Sequence, residues 1–418
     1  MVEKYRRNIK KGVLKKAHPI IFLVFTLLCL PPEQQASQKT RLPMSPYPMM
    51  FSNFKRNGFQ AQTSSAKGEQ RWFTPTTDTM HRNQPSVILV CDNGIAACYS
   101  ERIQYMGSNG AIQWQQEIYP SMNPLYFDKQ LFYLTSYAGL ASIDEQQKTV
   151  LADFFFANGS PRGSCELLVP QGKNRFFIQV FSLGEEADPD RPAESNETSI
   201  ILMGPEAYDD YSYRHEYDGR LLKGLVCSDN KHVILLDNAG TIRKIEIESG
   251  KETAGITIEG VEFLQAGLDN DDNIVVSLFD SKRKRKLCCF TPVEEKEKKP
   301  LWELDLPPDS ERPFRQPPAI GPDNRVYYCI GNKLWAVDKG ELLWNAPVFP
   351  SDYFQYITVL GDTTVFVAAA NALRRLDSRG KEMFTAFLAP GENITTPAVV
   401  DSNGLIYFGT AAGIYCYE

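Results

Sequence analysis

The feature that most constrains this chain is that it repeats. "VYYCIGNKLWAVD" (Val326 to Asp338), "VFVAAANALRRLD" (Val365 to Asp377) and "IYFGTAAGIYCYE" (Ile406 to Glu418) align without a gap at offsets of 39 and 41 residues. Each opens with an alternating run of β-branched and aromatic residues, breaks at small or turn-forming residues, and resumes as a second alternating run. That pattern predicts a hairpin. "FYLTSYAGLASID" (Phe132 to Asp144), "VILLDNAGTIRKI" (Val233 to Ile245) and "VILVCDNGIAACY" (Val87 to Tyr99) follow the same plan, and Gly94, Gly139, Gly240 and Gly413 fall where a turn is expected to need positive φ.

A second element follows the hairpin. "NGAIQW" ends at Trp114, "KGELLW" at Trp344 and "RGKEMF" at Phe384, each aromatic four residues after a glycine, while "SGKETA" (Ser249 to Ala254) keeps the spacing without the ring. A turn followed by an outer strand, with the ring docking onto the next unit, is the expected structure. Two less regular units, Phe176 to Gly204 and Asn273 to Leu306, carry insertions but retain paired strands. The hairpins therefore number eight, beginning near Val87, Phe132, Phe176, Val233, Ile274, Val326, Val365 and Ile406.

Repeats of about 40 residues that each form a small antiparallel sheet are the signature of a β-propeller; an open β-solenoid is the competing architecture. The two ends of the repeat array favour a ring. "KGEQRWF" (Lys67 to Phe73) has the Gly68-to-Trp72 spacing of an outer strand but no hairpin before it, and the last hairpin lacks that element. The expectation is an all-β, eight-bladed β-propeller closed by an N-terminal strand in the last blade, which leaves no exposed sheet edge at the seam.

Units such as "PAVVDSNGLIYFGTAAGIYCYE" and "DKGELLWN" resemble the pyrroloquinoline-quinone (PQQ)-type repeat of quinoprotein-dehydrogenase-like propellers over about Lys67 to Glu418. The resemblance implies a fold rather than an activity. That superfamily includes PQQ-dependent dehydrogenases, the non-catalytic lipoprotein subunit of the outer-membrane β-barrel assembly machinery, and sensor domains; the chain resembles the non-catalytic branch more than the enzymes. In the enzymes the resemblance implies a vicinal disulfide over the quinone, a stacking Trp, Glu and Asn ligands to calcium, and an Asp base. Cys288 and Cys289 are adjacent here. Yet "KRKLCCFTP" reads as a strand, where neighbours face opposite sides of a sheet, so two inert buried thiols are expected.

Composition limits the remaining functions. Of 418 residues with a net charge of −6, the first 18 carry +6 and leave −12 on the body, which repels phosphate backbones and excludes nucleic acid as a partner. The basic start leads into "HPIIFLVFTLLCLPP", whose apolar run is the length of a secretory signal core and too short to span a bilayer. Residues 1–30 are expected to be a signal peptide or membrane anchor, with Cys29 a possible lipidation site and a cleaved soluble product the alternative. Residues 31–66 ("PPEQQASQKTRLPMSPYPMMFSNFKRNGFQAQTSSA") have no hydrophobic period and are expected to form a flexible linker to a PQQ-like repeat propeller over 67–418.

The nine cysteines show no metal-ligand spacing, and His18, His81, His215 and His232 are scattered. Nine cysteines without a disulfide framework imply a compartment that oxidises poorly, or count against export. The charged stretches Gly184 to Glu197 and Asp280 to Lys286 are expected as solvated loop tips, and the sequons at Asn158, Asn196 and Asn393 matter only in a eukaryotic secretory pathway. The reading is an exported, periplasmic or membrane-anchored scaffold that binds protein partners in the cell envelope, with its N-terminus at the membrane and no cofactor. The alternatives are a PQQ-dependent dehydrogenase, with PQQ and calcium, and a sensor that binds a small molecule in the channel.

Overall fold

The computed structural model describes residues 59–418 apart from 65–66, 77–83, 118–123, 128, 135–138, 147–148, 156–162, 171–175, 183–197, 204–210, 218–220, 292–298, 308–316, 331 and 349–354, and in the strands from 149 to 223 it describes chiefly backbone. Residues 1–58 lie outside the described residues. So do Cys29, the charged stretch 184–197, and Asn158 and Asn196.

Among the described residues every regular element is a β-strand, and no helix is long and apolar enough to cross a membrane. The strands form eight sheets, seven of four strands and one of five. In chain order they are sheet I (87–117), II (125–155), III (163–217), IV (221–257), V (262–305), VI (319–347), VII (355–387) and VIII (399–417). Two of them gain a strand from the N-terminal side. Gln70–Pro75 joins sheet VIII at its outer edge, and Phe59–Gln60 joins sheet VII at its inner edge.

Alternation along single strands shows how the sheets stack. In Val87–Cys91 every residue is buried: Val87, Leu89 and Cys91 share a core with sheet II, while Ile88 and Val90 share one with sheet VIII. In Val326–Ile330, Val326, Tyr328 and Ile330 face sheet V, and Tyr327 and Cys329 face sheet VII. Period-2 side chains covered on both faces produce the near-continuous apolar runs seen in the sequence. Shared cores join I to II, IV to V, V to VI, VI to VII, VII to VIII and VIII to I. Sheets III and IV touch through their first strands, Gly163–Pro170 and Leu221–Val226. The fold is all-β and propeller-like.

The expected hairpins form, with one displacement. In sheets VI, VII and VIII the repeated segment supplies the second and third strands, but "VILVCDNGIAACY" supplies the first and second strands of sheet I, Val87–Cys91 and Gly94–Cys98. Its first strand is buried on both faces and so reads like a second strand. Gly94 correspondingly does not take positive φ: it opens a strand, and a Cβ there would lie 2.0 Å from the Met106 carbonyl oxygen. Gly240 does occupy the left-handed region, at φ +88°.

Candidate functional site

The outer seam between sheets VIII and I is built from the N-terminal strand. Trp72 lies opposite Cys416, Phe73 opposite Tyr415 and Thr74 opposite Ile414. Before it, the N–H groups of Lys67, Gly68 and Glu69 all point to the Glu418 carbonyl at 3.0 Å. Trp72 is half-buried rather than buried; its indole N–H donates to the Ser108 carbonyl at 2.9 Å, and its ring sits 5.8 Å from that of Tyr407. Thr74 Oγ1 donates to the Gly110 carbonyl at 2.6 Å, so one short strand grips both sheets.

The same ring-on-glycine contact recurs from sheet to sheet. A Cβ on Gly340 would lie 3.1 Å from Trp302, on Gly380 2.6 Å from Trp344, on Gly68 2.8 Å from Phe384, and on Gly110 2.6 Å from Trp72. All four glycines have φ between +79° and +89°. Position and conformation both require glycine: the backbone is left-handed, and the neighbouring ring fills the space of a side chain. The indole N–H of Trp344 donates to the Ser378 carbonyl at 3.0 Å and that of Trp114 to the Glu145 carbonyl at 2.8 Å, repeating the Trp72 arrangement. The aromatic-after-glycine spacing is thus a docking device between neighbouring sheets.

A second seam lies on the inner side, in a stretch with no counterpart among the repeats. Phe59 pairs with Val359 and Gln60 with Leu360 in parallel. Gln60 is 1% exposed, and its Oε1 accepts the Val400 N–H of sheet VIII at 2.9 Å. The Gln62 carbonyl accepts the Gly361 N–H at 2.9 Å, and Ser64 Oγ donates to the Gly404 carbonyl at 2.6 Å. This strand lies within the stretch expected as linker. Two paired residues are too few to show an alternation, which is why composition alone reads as tether.

Loop carboxylates on one end of the sheets hold neighbouring turns together. Asp272 accepts the Ser228 N–H at 2.9 Å, and Asn324 Nδ2 donates to Asp271 Oδ2 at 2.8 Å. Asp269 is buried, which raises its pKa, and it accepts the N–H groups of Asp271 and Asn273 at 2.9 and 2.8 Å. Asp280 closes the turn of "DSKRKRK" by accepting the Lys282 and Lys284 N–H groups, so residues 280–284 are a hairpin tip, while Arg285, which is buried, and Lys286 open the following strand rather than lying in the expected solvated loop. His232 Nδ1 lies 2.6 Å from Asp229 Oδ2. Among the described residues no three His, Cys, Asp or Glu side chains gather as a metal site.

Cys288 and Cys289 are free thiols on the third strand of sheet V, Arg285–Phe290. Cys288 packs in the core shared with sheet IV, and Cys289 in the core shared with sheet VI. Burial pushes the Cys288 thiol up to about 12 and that of Cys289 further, so neither is a thiolate near neutral pH. Cys91, Cys98, Cys227, Cys329 and Cys416 are likewise buried thiols outside any disulfide.

These repeats have counterparts among known proteins. The family model described as outer membrane protein assembly factor BamB matches residues 291–416, the part where the repeats are most regular. The crystal structure of BamB from Moraxella catarrhalis superposes with a TM-score of 0.56 at 13% identity, covering 83% of this chain and 96% of that one. Residues 291–416 thus resemble a PQQ-like repeat family, and the superposition shows a β-propeller fold. The propeller fold is shared equally with the computationally designed Ika8 protein, at TM-score 0.59 and 10% identity over 84% of this chain and 99% of that one. It is shared also with quinohemoprotein alcohol dehydrogenase from Comamonas testosteroni, at TM-score 0.57 and 9% identity over 93% and 82%. No curated protein matches the propeller in sequence. Likeness at this identity carries the fold to an assembly factor, a design and an enzyme alike, so it leaves activity to the residues.

Proposed function

We propose that this protein is a non-catalytic, eight-bladed propeller, exported to the cell envelope and tethered through residues 1–58, that binds other proteins. The eight sheets are its blades, closed between sheets VIII and I by the strand around Gly68 and Trp72, and Cys29 is the candidate point of lipid attachment. One observation carries the choice over the quinone dehydrogenase. Cys288 and Cys289 face two different inter-sheet cores on a third strand, whereas a disulfide cap over a quinone needs both sulfurs on one side of a loop. These two residues do not fit that cap. The family description of the matched C-terminal part, an outer membrane protein assembly factor, supports a role with protein partners in the envelope.

The test is site-specific photo-crosslinking of the full chain in its native cells, with the probe placed in turn at Asn270, Asp271, Met383 and Phe387, which are exposed. The reading predicts that neighbouring positions on one surface give the same discrete protein adducts. Absence of protein adducts from every surface would contradict it.

A further inference from the structure

Phe59–Gln60 is a guest strand. The sheets of this fold grow by hairpins, which pair strands antiparallel, and a parallel neighbour must arrive from elsewhere in the chain. It does arrive from elsewhere: the segment approaches sheet VII about 300 residues ahead of that sheet in sequence, with Phe59 opposite Val359 and Gln60 opposite Leu360. The receiving surface is shaped for it. Gly361 does not have positive φ, so its own backbone does not call for glycine, yet a Cβ there would stand 2.3 Å from the Ala61 carbonyl oxygen. What demands glycine at 361 is the segment lying over it. The Val400 N–H at the edge of sheet VIII finds its acceptor in Gln60 Oε1, and the Gly404 carbonyl finds its donor in Ser64 Oγ.

We infer that the inner edge shared by sheets VII and VIII is a binding site for an extended, uncharged peptide, and that residues 59–64 are the ligand it holds in cis. Main-chain pairing supplies affinity and the pocket around Gln60 supplies selectivity, the usual division when a sheet edge takes up a strand. A charged side chain is excluded where Gln60 is 1% exposed. The hold is not maximal. Only two residues pair, and Gln60 Nε2 and Gln62 Oε1 are buried without a partner among the described residues, so a competing peptide of the same kind can exchange with the segment. The outer strand differs: Gln70–Pro75 pairs along its length and closes a core. This site is independent of the protein-binding reading above, because it stands on the chain's own segment alone.

The experiment uses the full chain with a specific-protease sequence inserted between Ser65 and Ala66. After cleavage, the released N-terminal fragment is expected to co-elute with the folded propeller. A synthetic peptide of residues 57–65 should displace it, and the same peptide carrying Gln60→Ala should be at least tenfold less effective. In the Gly361→Ala variant the propeller should melt as before while the fragment is lost on cleavage. Departure of the fragment from the unsubstituted protein at once, or equal competition by the Gln60→Ala peptide, would overturn the inference. Unfolding of the propeller on cleavage would overturn it too, since the segment would then be part of the fold and not a ligand.

Discussion

At the scale of single residues, the repeat itself tells which positions are under strain. Ala370 has φ +49° in the turn between the second and third strands of sheet VII, and the gapless alignment places Gly331 at the same position of the preceding unit. A Cβ in the left-handed region costs about 1 kcal/mol, so Ala370→Gly should raise stability by ~0.5–1 kcal/mol in urea unfolding; a loss of that size would show that the alanine side chain contributes packing that outweighs the strain. The cysteine pair gives a second check. With Cys288 and Cys289 buried on opposite faces, native protein at pH 8 should resist alkylation at both, react fully once unfolded, and show no 288–289 linkage by mass spectrometry. The opposite facing of these two was legible in the sequence, because a strand assignment fixes it. What was not legible was the conformation of Gly94, since a glycine spared by a close carbonyl and a glycine needed for positive φ look the same in one sequence.

At the scale of elements, the outer seam makes a prediction that separates packing from charge. Trp72→Ala removes a half-buried ring and the bond to Ser108, and should cost ~2–3 kcal/mol. Arg71 directly precedes it, at the bulge between Gln70 and Trp72, with an ion pair to Glu418 in which both side chains are about half exposed, so Arg71→Ala should change stability by no more than ~0.5 kcal/mol. Urea midpoints of the two variants check both values, and equal effects would mean that the strand is held by its charge. The sequence showed this strand because an aromatic four residues after a glycine recurs elsewhere in the chain. It did not show the inner strand, since Phe59–Gln60 has no repeat partner and pairs over two residues only. Short guest strands are specified by the surface that receives them: the informative residue was Gly361, some 300 positions away.

At the scale of the whole molecule, six inter-sheet cores of similar make share the stability among the described residues, so the sheets they join depend on one another. Such an architecture holds a rigid set of loops and places no demand on what they do. The fold is therefore the same in an assembly factor and in an alcohol dehydrogenase, and function rests on whether the chain can hold a quinone. That question has a direct measurement. The full-length protein is titrated with pyrroloquinoline quinone in the presence of calcium, following intrinsic tryptophan fluorescence, and the mixture is assayed for dye reduction with alcohols and sugars. A non-catalytic propeller gives no saturable change and no substrate-dependent reduction; micromolar saturation accompanied by dye reduction would contradict the account and make the protein an enzyme.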